Sequence, residues 1–173
     1  MYGYDYSSLG AYFVTICAYE KAHIFGNITN GKMELNWLGK IVSNCLRNLP
    51  NHFSGIHIDE CVVMPNHVHL IVWIVDRRSL LVGATHASPL HNGLPVHAYE
   101  YPKGPPSQSV GSIIGSFKSA VSKHAHTVKP EFNPIWQRNY HERIIRDDGE
   151  LYAIRKYIRN NPIHWEIDEH ALE

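Results

Sequence analysis

The chain has 173 residues, of which 44% are apolar, so it is long enough for one domain with a substantial hydrophobic core. Sixteen basic and sixteen acidic residues give a formal net charge of zero, which excludes a bulk positive field, so any binding of nucleic acid must come from local basic patches. Three scattered cysteines without a Cys-x-x-Cys pair indicate neither a disulfide framework nor a cysteine zinc site, and no segment approaches the ~18 apolar residues of a membrane span, so we expect a soluble cytoplasmic protein.

The first part of the chain predicts the order strand, helix, strand, strand. Residues 11–19 are rich in β-branched and aromatic side chains, which is typical of a strand. After the turn signal Asn30-Gly31, apolar residues recur at a helical spacing up to Pro50, which we expect to end the helix; they are Leu38, Ile41, Val42, Cys45, Leu46 and Leu49. Residues 56–64 predict a second strand, and Pro65-Asn66 turns the chain into a third that runs to about residue 75.

Two histidines one residue apart open the third predicted strand. Side chains at i and i+2 of a strand point to the same face, so we expect His67 and His69 side by side, with Cα atoms about 6 to 7 Å apart. Two neutral imidazoles on one face can bind a single metal ion, which predicts half of a metal site. The alternative is that His67 only begins the strand and His69 is a hydrogen-bonded core histidine, and the spacing alone does not decide between them.

The middle of the chain predicts an insertion and a second helix. Residues 76–108 are rich in Gly, Pro, Ser and His and show no sustained period, so we expect a flexible insertion within a single domain that covers residues 1–173. An amphipathic helix follows, with Lys118 on its polar side; its apolar stripe is Val110, Ile113, Ile114, Phe117, Val121 and His124. On a continuous helix His124 and His126 are about 200° apart, so they cannot bind one ion.

The last part of the chain predicts a strand and a third helix. Residues 134–145 are typical of a strand. Asp147 as N-cap and Glu150 three residues later resemble a capping box, which begins a helix with an apolar stripe and an end at Asn161-Pro162. Tyr157 and Asn161 lie four residues apart at one edge of that stripe. A tyrosine in this position is also consistent with ordinary packing.

The histidine pair, the late tyrosine and the local basic patches together suit phosphoryl transfer with a tyrosine nucleophile. A bound cation would cancel charge on a phosphodiester and fix its geometry. A phenol with a pKa of about 10 attacks at pH 7 only when its proton is removed or nearby positive charge stabilises the phenolate. The basic residues that we expect to contact nucleic-acid phosphates are Lys118, Arg138, Arg143, Arg146 and Arg155.

Three stretches carry a resemblance to a known family: Met64-Pro65-Asn66-His67-Val68-His69-Leu70-Ile71-Val72, then Trp136 with Ile144-Ile145-Arg146, and finally Tyr157-Ile158-Arg159-Asn160-Asn161-Pro162. They are similar to those of the single-tyrosine HUH transposases, and most similar to the REP-associated tyrosine transposases. The resemblance covers about residues 12–164 without the insertion. It implies an α+β, ferredoxin-like fold with an antiparallel sheet, helices on one face and a C-terminal helix that carries the tyrosine.

The resemblance also implies an activity and the residues that perform it. His67 and His69 match the family's two metal-binding histidines, Tyr157 its nucleophile, and Asn161 the residue that can complete the coordination of Mg²⁺ or Mn²⁺. Family members cut and rejoin single-stranded DNA beside imperfect hairpins through a 5′ phosphotyrosine intermediate, which is the chemistry of DNA transposition. We therefore expect single-stranded or hairpin DNA as the partner, no membrane, and a monomer or homodimer.

Three other functions share parts of this pattern. A histidine-triad nucleotide hydrolase needs a third alternating histidine, but position 71 is isoleucine. A cupin-type metal site is built on many short strands, and the two long helical patterns argue against it. The alternative that stays open is a catalytically inactive, domesticated module that binds single-stranded nucleic acid through aromatic and basic residues on the same kind of sheet.

Overall fold

A computed structural model describes residues 9–75 and 109–165, so the predicted insertion at 76–108 lies outside the described residues. The described part contains β1 (Gly10–Cys17), β2 (Gly26–Thr29), β3 (Lys32–Leu35), α1 (Trp37–His52), β4 (Ile56–Val63), β5 (His67–Ile74), α2 (Val110–Val128), β6 (His141–Ile145) and α3 (Asp148–Asn160). None of the helices in these two ranges is both long and apolar enough to span a membrane.

Four of the strands form one antiparallel sheet in the order β4-β5-β1-β6. With α1 between β1 and β4, and α2 between β5 and β6, the chain follows the β-α-β-β-α-β order of ferredoxin-like folds. The predicted α+β class and antiparallel sheet are therefore confirmed. The two inner strands, β5 and β1, are hydrogen-bonded on both edges, so the site built on them has a rigid base.

The two faces of the sheet have different environments. Helices α1 and α2 cover one face, where the main core contains Val68, Leu70 and Val72 of β5 together with Phe117 of α2. Helix α3 lies on the other face, where a smaller cluster joins Ala11, Ile71, Leu151 and Ile158. Because side chains alternate along a strand, the even-numbered residues of β5 fill the main core and the odd-numbered ones, including both histidines, lie on the α3 face.

A hairpin of β2 and β3 was not expected from the sequence, which predicted only a turn at Asn30-Gly31. Both turn residues have positive φ, 53° for Asn30 and 69° for Gly31. These values suit the tight two-residue turn that joins twisted antiparallel strands, and Asn-Gly is the favoured pair for it. The strands on either side are only four residues long, so they carry too little alternation to be predicted by pattern.

Three local expectations about the secondary structure have different outcomes. Pro50 does not end α1, because a proline in the last turn removes a single backbone donor and the Phe53 N–H still donates to the Leu49 carbonyl at 3.2 Å. Helix α2 continues through His124 and His126 to Val128. The two histidines are therefore about 200° apart around the helix, as predicted. The strand predicted over 134–145 forms only at His141–Ile145, apart from an isolated bridge between Ala18 and Trp136.

Lys118 of α2 binds the irregular segment that precedes β6. Its ammonium group donates to the carbonyl oxygens of Gln137 at 2.8 Å and Asn139 at 2.9 Å. Carbonyls that accept from a helix side chain are not paired with a neighbouring strand, and the segment makes no further sheet pairing between the bridge at Trp136 and the start of β6. Partial burial lowers the pKa of Lys118, and the carbonyl contacts compensate for part of the lost hydration.

Candidate active site

The two histidines of β5 lie together on the face of the sheet that α3 covers. His67 is 1% exposed and His69 is 2% exposed, and the centroids of their rings are 4.4 Å apart. The strand therefore brings the two imidazoles side by side, as their spacing predicted. A buried imidazole needs hydrogen-bond partners or a ligand, so the contacts of the four ring nitrogens decide what the pair can do.

Hydrogen bonds from neighbouring residues hold both rings. Nδ1 of His67 lies 2.7 Å from the side-chain oxygen of Asn66, and Nδ1 of His69 lies 2.8 Å from the hydroxyl of Thr15. An amide oxygen only accepts, so neutral His67 carries its proton on Nδ1 and has its lone pair on Nε2. Metal-binding histidines are typically held in this way, because the bond to one ring nitrogen orients the other toward the ion.

Tyr157 reaches the same place from α3. Its hydroxyl oxygen is 3.3 Å from Nε2 of His69, and the two ring centroids are 5.2 Å apart. Phe13 of β1 meets the tyrosine ring edge to face at 6.2 Å and lies 5.3 Å from the ring of His69. Tyr157 is nevertheless 43% exposed, so one side of the phenol is open to a substrate. The histidine pair and the phenol therefore lie together within one chain.

Asn161, the proposed third metal ligand, lies just beyond the end of α3. It is 3% exposed and keeps helical backbone angles, with φ −53° and ψ −45°, although Pro162 follows it. In a helix this places it one turn after Tyr157 on the same side. The helix ends at Asn161-Pro162 as predicted, although the residue before the proline keeps the helical angles that a following proline usually disfavours.

The donor set can be tested against a divalent cation. Within residues 9–75 and 109–165 there is no group of three or more His, Cys, Asp or Glu side chains that could hold a metal ion. Any ion here would take two imidazole nitrogens and complete its shell with oxygen from an amide, water or phosphate. The oriented rings of His67 and His69 fit this set, and such a site leaves positions for substrate oxygens.

An open cleft of about 570 Å³ adjoins Tyr157, and Arg143, Arg146 and Glu150 contribute to its lining. Glu150 accepts from the guanidinium of Arg143 and from the backbone N–H of Arg146, the latter at 2.8 Å. The bond from the Arg146 backbone is the main reason why the pKa of Glu150 is lowered, and Arg143 adds to the effect. Two arginines and Tyr157 therefore line the same cleft, and Arg143 is already paired with a carboxylate.

The other basic residues predicted to contact phosphates have varied surroundings. Arg138 is exposed in the irregular segment before β6. Arg155 donates through Nε to Asp59 at 2.8 Å, and Lys118 donates to the carbonyls described above. DNA contacts by these three residues stay predictions, and two of them already bind protein groups.

Comparison with known proteins identifies a close relative. No family model matches the chain. Over 166 residues it is 42% identical to an uncharacterized protein of Haemophilus influenzae, and the alignment covers 96% of this chain and 87% of that protein. The chain belongs to the same family as that protein. The match includes both the histidine strand and the tyrosine helix, because it extends over nearly the whole sequence.

Solved structures show what fold this family has. A REP-associated tyrosine transposase bound to a REP hairpin superposes with a TM-score of 0.56 at 14% identity, over 89% of this chain and 67% of that one. A transposase described as putative from Deinococcus radiodurans matches with a TM-score of 0.48 and 14% identity, over 92% and 95% of the two chains. The first of these matches shows that the chain shares the fold of the REP-associated tyrosine transposase, and the resemblance seen in the sequence is confirmed at the level of the fold.

Several residues of the site were not identified from the sequence. Thr15 pairs with His69 in the register of β1 and β5, a relation that only the sheet reveals. Trp165 follows α3, is 9% exposed, and places its ring 5.9 Å from that of His67 at an angle of 31°. No periodic pattern includes Trp165, so nothing in the sequence links it to the histidines. Asn66 is the exception, because it stands within the quoted motif directly before His67.

Proposed function

We propose that this protein cuts and rejoins single-stranded DNA next to hairpins, with Tyr157 as the nucleophile and a divalent cation at His67 and His69. The observation that supports this most directly is the 3.3 Å approach of the Tyr157 hydroxyl to Nε2 of His69 within one chain. The shared fold adds support, since the solved transposase with that fold is described as bound to a REP hairpin. The role would be in DNA transposition.

In the proposed cleavage step, the Tyr157 oxygen forms a bond to the scissile phosphorus while the bond from phosphorus to the 3′ oxygen breaks. The phenol loses its proton to water, to which its exposed side has access. One DNA segment is then held by its 5′ phosphate on Tyr157, and the departing 3′ oxygen of the other takes a proton from water and becomes a free hydroxyl. Attack of a 3′ hydroxyl on the phosphotyrosine releases the phenolate and rejoins a strand, so no ATP is needed.

The chain's own residues prepare this step by orientation and charge. Thr15 and Asn66 fix the imidazole rings, and His67 and His69, with the amide of Asn161, would hold Mg²⁺ or Mn²⁺. When bound, such an ion neutralises charge on the non-bridging phosphate oxygens. In the cleft, Arg143 and Arg146 are the proposed contacts for phosphates of the strand that reaches Tyr157, with Arg138 as an exposed contact farther along.

The nucleophile can be tested with a matched pair of tyrosines on α3. Tyr157→Phe removes only the hydroxyl at the site, whereas Tyr152→Phe removes one from a side chain that is 69% exposed. Each protein is incubated with labelled single-stranded hairpin DNA and Mg²⁺ or Mn²⁺, and the covalent adduct is resolved on a denaturing gel. We expect an adduct with the wild type and Tyr152→Phe and none with Tyr157→Phe, which should still bind the hairpin. A denaturant-resistant adduct on Tyr157→Phe would refute the assignment.

The metal site is tested in the same assay with His67→Ala and His69→Ala. His124→Ala is the matched control, because this histidine is exposed on α2 outside the site. We expect both site variants to lose the metal-dependent adduct and the control to keep it. If the wild type binds the hairpin but forms no adduct with either metal, the catalytically inactive binding module becomes the better description.

A further inference from the structure

We propose that an acidic bulge in β4, formed by Asp59 and Glu60, positions the tyrosine helix α3 so that Tyr157 attacks within its own chain. This inference rests on the proposed role of Tyr157 as the nucleophile. It concerns residues on the far side of α3 from the phenol, and it assigns to Asp59, Glu60, Arg155 and Arg159 a positioning role.

The bulge is visible in the pairing of β4 with β5. Ile58 is opposite Val72 and Cys61 is opposite Leu70, so β4 advances three residues while β5 advances two. The two residues between them on β4, Asp59 and Glu60, therefore face one residue of β5. A bulge of this kind twists a strand and redirects its side chains. Here the strand is at the edge of the sheet, next to α3.

Both carboxylates of the bulge bind arginines of α3. Nε of Arg155 donates to Asp59 at 2.8 Å and its Nη2 donates to the second oxygen, while both Nε and Nη2 of Arg159 donate to Glu60. The indole N–H of Trp73 also donates to Asp59 at 3.0 Å, which fixes that carboxylate. The contact of Arg155 joins two nitrogens to two oxygens, so it restricts direction as well as distance, whereas both nitrogens of Arg159 share one oxygen of Glu60.

The position of these pairs on the helix links them to the nucleophile. At 100° per residue, Arg155 and Arg159 are about 40° apart, and Tyr157 is about 200° from Arg155. The arginines thus occupy one edge of α3 and the tyrosine the other, with the apolar stripe between them against the sheet. A rotation of α3 about its axis would break the arginine contacts and move the phenol away from His69.

Apolar packing alone is a weak restraint on this rotation. Leu151 and Ile158 are the buried residues of α3, and the cluster they join is much smaller than the core beneath α1 and α2. Burial of apolar surface has no preferred direction, so a narrow stripe permits the helix to roll. The side chain of Asp59 is only 10% exposed, which reduces screening by salt. The lowered pKa of Asp59, caused first by Arg155, agrees with a contact that persists.

The positioning role is tested with the double variant Asp59→Asn, Glu60→Gln, which removes both charges and keeps the shapes. Glu34→Gln, on exposed β3, is the matched control. We expect the double variant to form the adduct roughly tenfold more slowly in a single turnover, with hairpin affinity unchanged, and the control to match the wild type. Asp59→Arg combined with Arg155→Asp should recover part of the rate lost in each single variant, which a loss of folding would not permit.

Hydrogen exchange separates this inference from the proposed activity. Without DNA, the amides of α3 should exchange faster in the double variant than in the wild type, while those of α2 stay unchanged. Failure of the wild type to form any adduct would refute the proposed function alone. Unchanged exchange in α3, or an unchanged rate of adduct formation, would overturn the positioning role.

A mixing experiment tests attack within one chain. Tyr157→Phe lacks the phenol and His69→Ala lacks part of the metal site, so neither should form an adduct alone. If each site is completed by its own helix, a mixture of the two proteins should also form none. An adduct in the mixture would show that a partner supplies the tyrosine, and it would overturn this part of the proposal.

Discussion

Replacement of Thr15 by valine isolates the hydrogen bond that holds His69. Thr15 is 8% exposed, lies opposite His69 in the sheet, and has its hydroxyl 2.8 Å from Nδ1 of the ring. Valine keeps the branched shape that suits a strand and replaces the hydroxyl by a methyl group. The change therefore leaves Nδ1 of a buried imidazole without this contact while the strand is retained.

The loss of this hydrogen bond should lower both the unfolding temperature and the affinity for metal. Removing one partner of a buried hydrogen bond costs about 1 to 3 kcal/mol, and in a chain of this size each kcal/mol lowers the unfolding temperature by about 2 to 4 °C. We therefore expect Thr15→Val to unfold roughly 2 to 12 °C below the wild type. Loss of a hydrogen bond that orients a metal-binding histidine typically weakens metal binding by about 10- to 100-fold.

The assay measures both effects on the same protein. Thermal unfolding without metal gives the stability, and a Mn²⁺ titration, by calorimetry and by adduct formation, gives the affinity for the ion. Thr29→Val, at an exposed position of β2, is the control and should change neither quantity. An unchanged Mn²⁺ affinity together with an unchanged unfolding temperature would refute the argument that Thr15 orients His69.

Three further predictions concern stability. Asp147→Ala removes the side chain that accepts from the Glu150 N–H at 2.8 Å, and urea unfolding should show a loss of about 1 kcal/mol. The pKa of Asp59 is lowered in the folded protein, chiefly by Arg155. Its contribution to stability should therefore be present above about pH 4 and be lost as the pH falls through the lowered pKa. Asp59→Asn should flatten this part of the acid unfolding profile. Phe117→Ala empties a fully buried position of the main core and should cost about 3 to 5 kcal/mol, whereas Tyr152→Phe should cost almost nothing.

The parts of the fold with strong periodicity were predictable. The stripes of α1 and α2 and the N-cap at Asp147 depend on neighbours within a few residues, and the structure has all three, except that Ala125 and not the exposed His124 completes the buried stripe of α2. The capping box differs in one respect, because the Glu150 carboxylate accepts from the N–H of Arg146, the residue before the N-cap. The pairing of His67 with His69 was also predictable, since it follows from the alternation of a single strand.

Contacts between distant parts of the chain were not predictable in this way. Thr15 is 54 residues from His69, and Asp59 is 96 residues from Arg155. Each pair depends on strand register, and the second also depends on a bulge that shifts the register by one residue. Likewise, the strand predicted over 134–145 forms only at its end, and the carbonyls of residues 137–139 accept instead from Lys118, about 20 residues earlier. Local patterns contain no information about any of these partners.

The division between the two faces of the sheet explains where such contacts are needed. On the α1 and α2 face, a large apolar core fixes the helices by shape, and no polar group of the proposed mechanism lies there. On the α3 face, buried imidazoles interrupt the apolar surface of β5 just where a helix must pack. A surface interrupted by buried polar side chains supplies less apolar packing, so α3 depends more on directional contacts elsewhere. On the edge strand β4, charged side chains reach the helix away from the histidines, and the bulge at Asp59 and Glu60 lies there.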